Sequence, residues 1–312
     1  MTKDLQVLIL AQPGRLEAEA LLFAASFRAT NSLGLTVAVP RPSAIWPNNQ
    51  ELSPEGHAAL VSLGARIIRF APQYFGRSYP NGNRIEALFT LRPDQPFIAF
   101  DTDTLILGDL GAAELGSAAP GASERVEPTW PRGGQGRSGR KAVWRSLYHR
   151  FGLAEPSSFG YFCASRVHGP CPHRFATHWL SKALAIRDSP PAALTGQALF
   201  PWLDQIALPL TLAALQGGQD APRSKLLDDG LSYHYRSLAL AHARAPSAAL
   251  THLDQVTQDP ILASLLARYA PFRKMLTPTG VAHVRRLFKD YPHADREKPY
   301  RKRLKAAGLW DR

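Results

Sequence analysis

Phe97-Ile98-Ala99-Phe100-Asp101-Thr102-Asp103-Thr104-Leu105-Ile106-Leu107 is the stretch on which the reading of the chain turns. Four apolar residues that do not alternate predict a buried parallel strand. Asp101 and Asp103 then stand at its carboxyl end, where open α/β sheets bind ligands. Residues i and i+2 of an extended chain face the same way, so the two carboxylates share a side. Two hard oxygen ligands there suit Mn²⁺ or Mg²⁺ carrying a phosphorylated substrate. The plainer alternative is a strand end with two solvated acids, because a bare Asp-x-Asp is a short motif.

Upstream, strand-like runs at 6–10, 35–39 and 66–70 alternate with helical patterns at 16–28, 54–63 and 83–91. This alternation predicts a doubly wound α/β sheet with a Rossmann-like nucleotide-binding half over 1–110. The second half, 111–278, opens with a Gly/Ala/Ser/Pro/Arg-rich segment whose part 116–140 is expected to be a flexible loop. Its Gly134-Gln135-Gly136-Arg137-Ser138-Gly139 matches G-x-G-x-x-G but no strand precedes it, so it is set aside. Helices are expected over 141–153, 175–186 and 201–215, and strands over 159–163 and 231–236. The run 248–253 is strand-like and ends near His252. Two further helices are expected over 259–276 and 279–291.

Cys163, His168, Cys171 and His173 are zinc-ligand types, but their spacing is not that of a structural zinc site, and reduced cysteines in a loop are expected. Asp204 falls in the first turn of its helix, where an acid favours the helix dipole. His234 and His252 are both available as a nitrogen ligand to a metal at Asp101 and Asp103.

The 312 residues are 45% hydrophobic and 20% charged, enough for a large core. Val7–Leu10 is too short for a secretory apolar region, and no run is long enough to span a bilayer. A cytoplasmic protein is expected. Net charge is +12 and the pI near 10.0. Half of that excess lies after Val284, where ten Lys/Arg face four acids and Phe288, Tyr291, Tyr300 and Trp310 are interleaved. Residues 279–312 therefore read as a basic helical tail suited to an anionic membrane surface and separate from the metal-binding part. No nucleic-acid motif is present, so no nucleic acid partner is expected.

The order of pieces resembles the GT-A glycosyltransferases of the family 8 type, the glycogenin and bacterial galactosyltransferase kind. The motifs that carry the resemblance are Asn83-Arg84-Ile85, Asp101-Thr102-Asp103, Asp109-Leu110, Glu114-Leu115, Tyr161-Phe162-Cys163-Ala164-Ser165, Asp204-Gln205 and His252. It covers roughly residues 6 to 266. The resemblance implies a metal-dependent, retaining hexosyltransferase with a UDP-linked donor and a glycan or lipid-linked acceptor. It implies Mn²⁺ (or Mg²⁺) on Asp101, Asp103 and His252, with Arg84 and Thr102 near the donor and Ala11-Gln12 against the base. Asp204 and Gln205 would face the transferred sugar. Arg84 stands where the family has Lys, and Cys163 and Ser165 where it has Asn and Gly.

Two other classes compete. A haloacid dehalogenase-type phosphatase would use Asp101 as nucleophile and Asp103 as acid/base, with Lys225, Asp228 and Asp229 near Mg²⁺. That signature wants Thr or Val where Leu105 stands. A degenerate, non-catalytic carbohydrate- or membrane-binding module is the third reading.

Overall fold

The computed structural model describes residues 5–48, 51–112, 119–124, 130–131, 136–217, 223–224, 230–291 and 297–310. Along the first third run β1 (Gln6–Leu10), α1 (Arg15–Thr30), β2 (Leu35–Pro40), α2 (Pro54–Ser62), β3 (Ala65–Phe70), α3 (Asn83–Ala87), β4 (Phe97–Phe100) and β5 (Thr104–Ile106). Next come β6 (Gly121–Glu124), α4 (Gly136–Arg150), β7 (Phe162–Gly169), α5 (Pro172–Asp188), α6 (Leu203–Leu215), β8 (Arg223–Ser224) and β9 (Ser232–His234). The remainder is helical: α7 (Leu238–Arg244), α8 (Ser247–Val256), α9 (Pro260–Leu266), α10 (Ala270–Met275), α11 (Pro278–Phe288) and α12 (Glu297–Ala306).

The main sheet has the order β3-β2-β1-β4-β7-β6-β8. β1, β2, β3 and β4 are parallel, and β7 runs antiparallel to both β4 and β6. It is thus a doubly wound α/β sheet, as expected, and mixed in strand direction, with a helical C-terminal end. β1 and β2 are covered on both faces, which their unbroken apolar runs require. β3 lies at the edge and exposes two arginines, Arg66 and Arg69.

Helices on each face build two cores. One joins α1 and the C-terminal helices to the sheet, and the other joins α3 through α6 to its opposite face. In α1 every residue from Ala18 to Phe27 is buried, because the helix has β1 and β5 on one side and α8 and α9 on the other. A helix enclosed in this way is largely apolar, and here Glu19 and Ser26 are the polar residues within the buried stretch.

The structure departs from the sequence pattern in five places. The strand expected over 159–163 is Phe162–Gly169. Segment 116–140, expected as a loop, contributes β6 and the fully buried Trp130. The run at 248–253 is helical: Ala249 and Leu253 are four residues apart, and both turn inward on α8. The helix expected over 259–276 is two helices, each with a proline in its first turn. In the basic tail, Val284, Tyr300, Leu304 and Leu309 pack into the same core as β1. Glu114-Leu115, Lys225, Asp228, Asp229 and Gly134-Gln135 lie outside the described residues. Among the described residues, no helix is long and apolar enough to cross a membrane.

Candidate active site

Asp101, Thr102 and Asp103 form the link between β4 and β5. Asp101 N–H donates to the Ser165 carbonyl at 2.7 Å, which anchors the link to β7. β5 then leaves the main sheet and pairs antiparallel with β9, matching Thr104 to His234. Tyr235 N–H donates to the Asp103 carbonyl at 3.0 Å and holds the pair in register. This pairing brings the His234 imidazole to the aspartates. Its Nε2 lies 2.9 Å from Asp103 Oδ1 and 3.9 Å from Asp101 Oδ2. Among the described residues, Asp101, Asp103 and His234 form the one group able to hold a metal ion, with ligand atoms within 4.8 Å of one another. Burial, and to a lesser extent Arg236, lower the His234 pKa, but the charge and hydrogen bond of Asp103 and the Cys163 contact together outweigh them and the net shift is upward.

His252 is elsewhere. It sits on α8 with Nε2 3.4 Å from the Ser26 carbonyl, so the expectation that it joins the aspartates gives way to His234. The reason is topological: the run at 248–253 is a helix lying on α1, whereas 232–234 is the strand paired with β5.

Arg84 connects the two halves of the site. Its guanidinium pairs with Asp101 through Nη2, stands 3.8 Å from Asp204 Oδ2 and donates to the Ala164 carbonyl at 2.7 Å. Asp204 also accepts from the Tyr79 hydroxyl, and the indole of Trp179 donates to its carbonyl at 2.8 Å. Burial raises the Asp204 pKa, opposed by Arg84 and Tyr79. Burial and the facing carboxylate push the Tyr79 hydroxyl well above the usual phenol range. Gln205 accepts from the Tyr161 hydroxyl at 2.8 Å. The fold thus brings Arg84, Asp204 and Gln205 together beside Asp101.

These groups line one cleft of about 520 Å³, whose wall also includes Leu8, Leu10, Gln12 and Leu16. Ala11 is fully buried and gives its N–H to the Ala38 carbonyl, so of the expected Ala11-Gln12 pair only Gln12 reaches the wall. Thr102 is turned inward: its hydroxyl donates to Glu19 Oε2 at 2.8 Å, and Glu19 pairs with Arg15 at 3.4 Å.

Sequence reasoning missed Glu19, Arg15, Tyr79, Arg236 and Arg301, all of which contact or line the site. For Glu19 a signal was present, because it is a single acid within Ala18-Glu19-Ala20-Leu21-Leu22. Of the cysteines expected in a loop, Cys171 stands in the link between β7 and α5 and Cys163 is on a strand instead. Cys163 lies on β7 beside the cleft and Cys171 caps α5; both are free. Burial pushes the Cys163 thiol up, yet contacts with His234, Arg236 and Ser165 bring it to about 6. His168 and His173 are apart from them, His168 buried on β7 and His173 Nε2 2.9 Å from the Leu91 carbonyl.

A sequence model of the family described as Rhodobacterales glycosyltransferase domain matches residues 7–216. No curated protein matches the sequence. The structure of the galactosyltransferase LgtC in complex with donor and acceptor sugar analogs is 15% identical with a TM-score of 0.50, covering 87% of this chain and all of that one. A structure of an active-site mutant of LgtC is 14% identical with a TM-score of 0.47, covering 83% of this chain and 95% of that one. The first of these likenesses shows the fold, the GT-A fold that LgtC has.

Proposed function

The chain belongs to the Rhodobacterales glycosyltransferase domain family, and from that premise we propose that it moves a hexose from a nucleotide-diphosphate sugar, UDP-linked, to a glycan or lipid-linked acceptor with retention of configuration. The observation that carries this reading is one cleft holding two groups of residues. Asp101, Asp103 and His234 form one, Asp204 and Gln205 the other, and Arg84 pairs with Asp101 and stands 3.8 Å from Asp204.

Two carboxylates and an imidazole suit Mn²⁺, and also Mg²⁺, so the residues present fit a divalent cation. When bound, it would act as a Lewis acid toward the diphosphate of the donor. His234 takes the place that the sequence pattern assigned to His252. Arg84 is aimed between the developing negative charge and the transferred sugar, and it holds Asp204 in place. Asp204, kept oriented by Tyr79, faces the sugar carbon that gains positive character, as a carboxylate does in glycoside hydrolysis. Gln205, fixed by Tyr161, orients the sugar hydroxyls. Leu8, Leu10 and Leu16 supply an apolar wall for the nucleoside, and Gln12 a polar edge. The exposed Lys298, Lys302, Arg303 and Lys305 of α12 are offered to anionic lipid at the inner face of the cytoplasmic membrane, where a lipid-linked acceptor is met.

The test is a thermal-shift and hydrolysis screen of nucleotide sugars with Mn²⁺ and with chelator. A ligand that binds only the native state raises the apparent Tm. Metal-dependent release of nucleoside diphosphate from one of the sugars is the expected result. Phosphate release from phosphomonoesters would support the phosphatase reading, and saccharide or vesicle binding without any turnover would support the non-catalytic one.

A further inference from the structure

The C-terminal helix enters the cleft, although the sequence pattern sets the tail apart from it. Arg301 of α12 is on the cleft wall together with Arg236, two residues beyond His234. Both are tied to one carboxylate. Glu297 Oε2 lies 2.6 Å from Arg236 Nε, and Glu297 Oε1 lies 3.6 Å from Arg301 Nε. The carboxylate therefore yokes a guanidinium beside the metal cluster to one on the following helical turn.

Three further observations show that this arrangement is held in place. Tyr300, Leu304 and Leu309 bury one face of α12 and its C-terminal end in the core, which fixes the height of the helix over the cleft. The Arg301 guanidinium sits over the Trp310 ring at 4.9 Å, a contact that limits its swing. Arg236 has φ 58°, and among the described residues it is the one non-glycine with positive φ. That conformation is costly for an L-residue with a long side chain, and such strain concentrates at functional sites. It turns a side chain only a tenth exposed toward Glu297 and the cleft.

We propose that Arg236 and Arg301, yoked by Glu297, form a diphosphate clamp, so that the C-terminal helix is part of the donor site. Planar guanidinium groups match phosphate oxygens in a bidentate manner, and a clamp of two guanidiniums and one carboxylate carries a net positive charge. Arg84 and Arg15 line the same cleft, paired with Asp101, Asp204 and Glu19 as Arg236 and Arg301 are paired with Glu297. Glu297 is a positioning residue in this scheme. The inference rests on the cleft being a nucleotide-diphosphate-sugar site.

The experiment uses the full chain and calorimetry in the presence of Mn²⁺, with UDP, inorganic pyrophosphate and uridine as probes. Arg301→Ala should weaken UDP and pyrophosphate about tenfold or more, the scale of a lost charge-assisted hydrogen bond, and leave uridine within about twofold. Glu297→Gln should raise the donor KM more than it lowers kcat, and Glu297→Asp should recover part of the loss. Ligand-free thermal melting of each variant establishes that it is folded. A folded Arg301→Ala chain that binds UDP and pyrophosphate as the wild type does would overturn the clamp alone. If the wild type binds neither, the donor-site reading falls and the clamp with it.

Discussion

Replacing His234 by alanine tests the geometry at the centre of the site. The substitution removes one of three ligand atoms that lie within 4.8 Å of one another. Loss of a group merely supporting a metal ligand costs about 10–100-fold in affinity, so loss of a ligand should cost at least about 100-fold, or about 2.7 kcal/mol. A second effect follows from burial. Asp103 is 2% exposed, and Nε2 of His234 is its partner at 2.9 Å. Leaving that carboxylate without the imidazole costs about 1–3 kcal/mol, so the metal-free variant should melt a few degrees lower. His252→Ala is the control: its Nε2 makes only a 3.4 Å contact with the Ser26 carbonyl, so Mn²⁺ affinity should stay within about twofold of wild type. Mn²⁺ binding is read from loss of the free-ion electron paramagnetic resonance signal, with circular dichroism to establish folding. A folded His234→Ala chain with wild-type Mn²⁺ affinity, or a His252→Ala chain that loses it, would refute the reasoning.

Asp204→Asn keeps the shape of the side chain but removes the charge that Arg84 and Tyr79 face. It should lower kcat about 100-fold with donor KM nearly unchanged, and steady-state kinetics showing an unaltered kcat would remove Asp204 from the reaction. His168 carries an acid-lability prediction. Burial, and next the Arg166 charge, lower its pKa from 6.5 to about 4. The unfolded chain therefore binds the extra proton first, and stability falls as pH drops from 6.5 toward 4, by about 3 kcal/mol for this group. His168→Gln should lose correspondingly less stability over that window in denaturant titrations at matched pH, and identical slopes for the two chains would count against it.

The elements of the first hundred residues were legible because both periodicity and punctuation are local. Val7-Leu8-Ile9 and Val37-Ala38-Val39 are apolar without alternation, as strands covered on both faces must be. Asp101 and Asp103 were legible for the same reason, since two acids directly after such a strand stand at the sheet end where ligands bind. Their burial was not. Asp103 reads as a solvated strand end until β9 is seen to cover it.

The sequence by itself determined the α/β class, the position of the Asp-x-Asp, and the presence of Arg84, Asp204 and Gln205 in the order that the resemblance to GT-A glycosyltransferases implies. Only the tertiary structure decided which groups meet. The choice of His234 over His252 depends on a β5–β9 pairing between segments about 130 residues apart, and local propensity carries no information on such pairing. Glu19 under Thr102, Tyr79 on Asp204, and Glu297 between Arg236 and Arg301 likewise join side chains from distant elements. A charge run such as 285–312 looks like a solvated face, because the few apolar residues that dock it are visible only when the core they enter exists.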